Sequence, residues 1–297
     1  MSKLSPLKAG DRVALCATAR AVSSDEMAAA VAEITSWGLE VVVPEGLYDR
    51  EGQLAGSDSH RATIMQRLLD DPSIRAIICC RGGYGTVRIV DSLDFSTFAR
   101  CPKWIVGYSD VTVLHSQIQR NLGLPTLHAT MPINFGRQPS PATDSLRRAL
   151  FGMPLEYEWA VTGTEIDVDA QVIGGNLSIL YSLLGSRSQI DARGKVLLVE
   201  DLDEYLYHID RMMRALLRSG MLDGVQALLV GGLTDMHDNA IPFGRTAEQI
   251  VAEAAAAAGC PVIFGAPFGH LADGNMALPL GVPVHLVVHD GVCRLTV

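Results

Sequence analysis

The stretch KWIVGYSDVTVLH, Lys103 to His115, sets Ser109 between an apolar run ending at Gly107 and an amphipathic helix beginning near Asp110. A serine lifted off a sheet by a sharp strand-to-helix turn is a candidate nucleophile. The free N–H groups and the positive end of the helix dipole then face it, and the backbone N–H of Asp110 becomes a candidate oxyanion donor. A plain helix cap by Ser109 or Asp110 explains the same residues. Val111 stands where G-x-S-x-G has its second glycine, which argues against an ordinary α/β-hydrolase.

A serine hydroxyl becomes a useful nucleophile when a histidine takes its proton, a carboxylate orients that histidine and fixed N–H donors hold the oxyanion. Candidates for each part follow apolar runs. RGGYG (81–85) follows IRAIICC, and two adjacent glycines let backbone N–H groups approach a ligand; Gly83 is the candidate second donor. A tight turn is the plain alternative, and a phosphate loop is weak without G-x-G-x-x-G or G-K-[ST]. Glu200 is the first residue after KVLLV and suits a histidine-orienting group. Asp201, Asp203 and Glu204 read as a solvated cluster or as helix N-terminal charges. His270 lies in the Gly/Pro-rich loop GAPFGHLADG, the best setting for a base. His115 and His208 fall on helices, His285 and His289 alternate on a strand, and His128 is undecided. TDMHDN (234–239) has no partner motif for a metal.

The elements that carry these residues alternate. Strands are expected at 12–18, 39–44, 74–80 and 103–107, and helices at 23–37, 57–71 and from Val111 to Leu122, with Gly123 as the stop. This pattern predicts an α/β fold with a mostly parallel, helix-covered sheet, in which ligands bind beyond the carboxyl ends of the strands. Residues 139–165 are the least regular stretch. The division is therefore an N-terminal nucleophile-bearing domain (1–138), a linker (139–165) and a C-terminal domain (166–297) that supplies Glu200 and His270. In the latter, strands are expected at 168–173, 195–199 and 225–231, helices at 205–219 and 245–259, an extended piece at 261–265, a helix opening after the glycine pair of GGNLSILYSLLG, and a hairpin turning at Asp290-Gly291.

The 297 residues suit about two domains at roughly 150 residues each. They are 48% hydrophobic, enough to build cores. The net charge is −9 and no Lys/Arg block occurs, which excludes an ordinary nucleic-acid partner. No apolar run reaches the roughly 20 residues that span a bilayer. The N-terminal run reads as a first strand rather than a signal peptide, and six scattered cysteines read as buried free thiols of a cytoplasmic protein.

Taken together, LKAGDRVALCATA, RGGYGTVRIVDSLDF, PKWIVGYSDVTVLH, GGNLSIL, LLVEDLDEYLYHIDRMMRALLRSG and FGAPFGH resemble the L,D-carboxypeptidase family of serine peptidases over nearly the whole chain. The resemblance implies an N-terminal class I glutamine amidotransferase-like (flavodoxin-like) domain and a smaller C-terminal α/β, barrel-like domain. It implies a Ser109–Glu200–His270 triad, oxyanion N–H groups from Gly83 and Asp110, no metal or other cofactor, and a homodimer. The implied reaction removes the terminal D-Ala of a murein tetrapeptide. A peptidyl-nucleotide is the alternative substrate, by likeness to the microcin C immunity peptidase of the same family. A non-catalytic ligand-binding relative and a simple esterase are further alternatives. CATAR replaces a Pro/Ser-containing turn usual after the first strand, which brings Arg20 to bear on the pocket. Arg81 and Arg88 are candidates for either anion contacts or structural salt bridges.

Overall fold

The computed structural model describes residues 4–137, 140–163 and 165–297. The first layer runs β1 (Arg12–Cys16), α1 (Ser24–Ser36), β2 (Glu40–Val42), α2 (Asp58–Asp70), β3 (Ile74–Cys79), α3 (Ser96–Arg100), β4 (Trp104–Gly107), α4 (Thr112–Leu122) and β5 (Thr126–His128). The strands pair in parallel in the order 2-1-3-4-5, a doubly wound arrangement of the flavodoxin type. β4 is buried along its whole length and β3 nearly so, as unbroken apolar runs require when helices cover both faces. Helix ends follow local chemistry. Ser23 and Glu26 form a reciprocal capping box on α1, Ser57 caps α2, and Gly123 ends α4 in the left-handed conformation.

The expected linker is ordered structure. It holds α5 (Ser140–Leu150) and β6 (Glu156–Ala160). Ala142, Ser145, Leu146, Ala149 and Leu150 bury one helical face, but two of the five are alanines and one is a serine, so the hydrophobic period is muted. Beyond it come β7 (Ile166–Asn176), α6 (Leu177–Ser182), β8 (Val196–Leu202), α7 (Leu206–Arg218), β9 (Ala227–Thr234), α8 (Ala247–Ala257), β10 (Val262–Ile263), β11 (Leu278–Leu280), β12 (Pro283–His289) and β13 (Val292–Thr296). The second sheet has the order β10-β9-β8-β7-β12-β13-β6. Its β7–β10 half is parallel and the remainder antiparallel. Asp290 and Gly291 both take positive φ at the tip of the β12–β13 hairpin, the conformation a two-residue turn demands. The sheet curls until its edges approach: Trp159 on β6 donates its indole N–H to the carbonyl of Phe264, just past β10, at 2.9 Å.

Two features bring the second sheet onto the first. Gly174 and Gly175 stay inside β7, and α6 opens just after them with Asn176 as its cap. A Cβ on Gly174 would lie 2.2 Å from the carbonyl oxygen of Leu198, and one on Gly175 would lie 2.6 Å from Thr112 Oγ1; only glycine lets β7 pass so close to β8 and to the start of α4. The second feature is β11, which leaves the C-terminal part and adds antiparallel to β5, pairing Leu278 with His128. The loop after β10, which carries His270, is thereby tied beside the strand ends that carry Ser109. No helix among the described residues is long and apolar enough to cross a membrane.

Candidate active site

β4 ends at Gly107, and Ser109 follows with φ +62. A left-handed serine is uncommon and costs about 1–3 kcal/mol, so surrounding contacts must impose it. Gly107 permits the turn: its φ is +153, and a Cβ there would strike Val111 at 2.8 Å. The cap reading of this segment does not hold. Neither the 109–111 turn nor α4 has a side-chain cap, and the buried Asp110 carboxylate instead accepts the N–H of Thr86 at 2.9 Å. That bond ties the serine turn to the RGGYG loop. Gly82 is the glycine that faces the serine, since a Cβ there would stand 2.8 Å from Ser109 Oγ. Gly83 lies under the side chain of Arg20, whose Cδ would be 2.3 Å from an added Cβ.

Glu200, expected just after a strand, instead lies within β8, which continues to Leu202, and is fully buried. Its Oε2 accepts Nδ1–H of His270 at 2.6 Å and the backbone N–H of the same residue at 3.1 Å. Gly269 makes the approach possible, because a Cβ there would fall 2.5 Å from Oε2. The histidine loop is pinned further: Asn275 accepts the N–H of Gly269 at 2.7 Å and the His270 carbonyl accepts Thr234 Oγ1–H at 2.9 Å. The His270 ring packs 4.7 Å from the ring of Tyr108. Ser109, Asp110, Gly82, Gly83 and His270 line one cleft of about 460 Å³. Among the described residues no direct hydrogen bond joins Ser109 Oγ to His270, and such bonds often tighten only when substrate is bound.

The same residues lie within matched family models. One for the LD-carboxypeptidase N-terminal domain matches residues 13–129, and one for the C-terminal domain matches residues 169–286. The chain is 35% identical over 289 residues to a probable murein peptide carboxypeptidase of Bacillus subtilis, covering 93% of this chain and 88% of that one.

This chain belongs to the LD-carboxypeptidase family.

It is also 31% identical to the murein tetrapeptide carboxypeptidase of Pseudomonas aeruginosa, over 91% of each chain. Among solved structures, muramoyltetrapeptide carboxypeptidase from Oxalobacter formigenes superposes with a TM-score of 0.87 at 28% identity, covering 95% of this chain and 98% of that one. The microcin C7 self-immunity protein MccF, bound to aspartyl sulfamoyl adenosine, also gives 0.87 at 22% identity, over 99% and 98% of the two chains. The latter likeness is one of fold.

The electrostatics of this LD-carboxypeptidase-family site set its protonation. Burial pulls His270 towards neutrality, but the Glu200 charge and hydrogen bond outweigh it and raise the imidazole above its usual 6.5. Burial would push the Glu200 carboxyl up; the His270 charge and hydrogen bonds hold it below 4.5 instead. His128 is fully buried against Tyr108, with ring centroids 5.8 Å apart, and burial drives it down to about 4, so it is neutral at physiological pH.

Three features were not visible in the sequence. Gly82, not Gly83, abuts the serine, and adjacent glycines give no signal to tell them apart. Tyr108 backs the histidine. Asp201 is not part of a solvated cluster. Both faces of β8 are covered, and Val196 to Asp201 are buried without a break, so Glu200 and Asp201 are both buried. Asp201 accepts from Asn176 Nδ2 (2.9 Å), the N–H of Ser178 (2.8 Å) and its neighbour Leu202 (2.9 Å). Burial, then the Glu200 charge, push its carboxyl up to about 7. Asp203 and Glu204 are paired with His237 and His208. Arg88 is a structural residue, bound to Asp58 at 2.6–3.0 Å.

Proposed function

We propose that this protein is a serine L,D-carboxypeptidase that removes the terminal D-Ala from a murein tetrapeptide. In this reading Ser109 Oγ attacks the scissile carbonyl while His270 Nε2 takes its proton. The N–H groups of Gly83 and Asp110 hold the oxyanion, with Gly82 leaving room for the serine. Collapse of the tetrahedral species breaks the C–N bond, and His270 returns the proton to the departing D-Ala amine. Water then repeats the sequence on the acyl-enzyme: His270 takes its proton, hydroxide adds, and Ser109 leaves as its hydroxyl is reprotonated. Glu200 fixes the Nδ1–H tautomer and stabilises the imidazolium. The N-terminal part supplies the nucleophile and the C-terminal part the acid and base, in a cytoplasmic homodimer.

The observation that carries this reading is the 2.6 Å bond between buried Glu200 and His270, whose partly exposed ring shares a cleft with a serine held at φ +62. The names of the Bacillus and Pseudomonas relatives point to murein peptides as the substrate. Trp159 is the only tryptophan between Ser109 and Glu200, and it does not line the Ser109–His270 cleft, so it offers no stacking platform for a base there; this favours a murein peptide over a peptidyl-nucleotide. The test is to incubate the protein with a murein tetrapeptide and, separately, a peptidyl-adenylate. Release of D-Ala from the first, lost in Ser109→Ala, is expected. Cleavage of the adenylate alone, or full activity of Ser109→Ala, contradicts the reading.

A further inference from the structure

Two guanidinium groups line the cleft without a task in the mechanism above. Arg20 follows β1, and its aliphatic stem lies across Gly83, so closely that a Cβ there would meet both Cγ and Cδ within 2.5 Å. The neighbouring glycine, Gly82, is the one against Ser109 Oγ. Arg81 immediately precedes this pair, and both arginines line the cleft with Ser109 and His270. Neither is neutralised at hydrogen-bonding distance. Arg20 forms no salt bridge among the described residues, and Arg81 approaches Glu26 only to 3.7 Å. Glu26 is already engaged by the N–H of Ser23 at 2.9 Å.

Two other arginines of this region are committed. Arg61 is fully buried and donates to the carbonyls of Thr18 and Gly85, and Arg88 grips Asp58. Arg20 and Arg81 instead repel one another. Burial, then Arg20, with Arg137 and Arg50 adding to it, lower Arg81 from its usual 12.5, against the partial support of Glu26. The cleft is also lined by Asp110, Asp201, Asp203 and Glu204, but the two guanidinium groups flank the Gly82–Gly83 pair beside the serine and place positive charge there, where it can orient an anion.

We infer that Arg20 and Arg81 form a carboxylate subsite that binds the free C-terminal carboxylate of the peptide, so that cleavage occurs one residue from the chain end. The inference rests on the peptidase reading above and adds its specificity determinant. Consecutive Cα atoms are about 3.8 Å apart, so the terminal carboxylate of a single departing residue must bind close to the nucleophile. Guanidinium groups suit it, since their forked N–H donors match a carboxylate.

Binding to the full chain carrying Ser109→Ala tests this without turnover. The probes for calorimetry are N-acetyl-L-lysyl-D-alanine, its C-terminal amide, and N-acetyl-diaminopimelyl-D-alanine amide, which carries a carboxylate only on the diamino acid. The acid is expected to bind about 10- to 100-fold more tightly than its amide. Adding Arg20→Gln or Arg81→Gln should each remove most of that advantage and leave the amide's affinity unchanged, with Arg→Lys recovering part of it. Equal affinity for acid and amide, undetectable binding of both included, overturns the assignment. So does an advantage that survives both substitutions or follows the diamino acid's carboxylate. Failure of the unsubstituted protein to release D-Ala would defeat the functional reading while leaving this affinity ratio to stand or fall separately.

Discussion

Replacing Glu200 with glutamine removes one charge from the site and little else. Oε2 receives both hydrogen bonds from His270, at 2.6 and 3.1 Å, and a glutamine carbonyl can accept the same two. The Nδ1–H tautomer and the loop are therefore retained, and what is lost is stabilisation of the imidazolium in the transition state. A hydrogen bond to a charged group contributes about 1.5–3 kcal/mol. The Coulomb attraction of unit charges about 4 Å apart, at an effective dielectric constant near 20, is about 4 kcal/mol. These overlap and are not summed, so a loss of about 2–4 kcal/mol is expected, about 30- to 1,000-fold in kcat. The pH profile adds a second, independent reading. In the proposed mechanism neutral His270 is the active base, and in the parent protein its pKa is raised above 6.5; activity should fall on acidification with a midpoint above that value. In Glu200→Gln the lowering effect of burial is unopposed by the carboxylate, so the midpoint should move to lower pH. D-Ala release measured across pH 4.5–9 reads both quantities. Unchanged kcat, or a midpoint that stays put or rises, would refute the assignment of Glu200 as partner of the base.

Gly82→Ala places a Cβ 2.8 Å from Ser109 Oγ and should abolish reaction of the serine with a neutral fluorophosphonate, while circular dichroism stays native. Asp201→Asn turns an oxygen that accepts N–H groups towards a conflicting amide and should lower stability by about 1–3 kcal/mol in urea unfolding; an unchanged midpoint would contradict its anchoring role. The raised pKa of His270 means that its contribution to stability is fully present below the unfolded value of 6.5 and is lost as pH rises through the folded value. His270→Gln should therefore narrow the stability difference from the parent as pH is raised from 6 to 9. Five of the six cysteines are buried and Cys101 is partly exposed, and burial drives the Cys16, Cys79 and Cys80 thiols well up. A thiol reagent should titrate at most Cys101 in the native protein and all six on unfolding.

Much of this site was legible because its residues follow apolar runs. Ser109 and His270 follow strand ends and Glu200 lies near the end of β8, and glycine-rich turns marked where the backbone had to bend. The unread parts depend on contacts remote in sequence or on single-residue geometry. The left-handed φ of Ser109 is imposed by its surroundings, and no residue type announces it. Asp201 is buried because packing remote in sequence covers both faces of β8. β11 contains Pro279, reads as loop, and becomes a strand only because β5 offers an edge. α5 was hidden by small residues on its buried face.

The most direct measurement is mass-spectrometric mapping of the protein after reaction with a neutral fluorophosphonate, run in parallel on His270→Ala. Stoichiometric labelling confined to Ser109, slowed at least a hundred-fold without the imidazole, is the expected result. Labelling at another residue, or a rate at Ser109 indifferent to His270, would contradict the account.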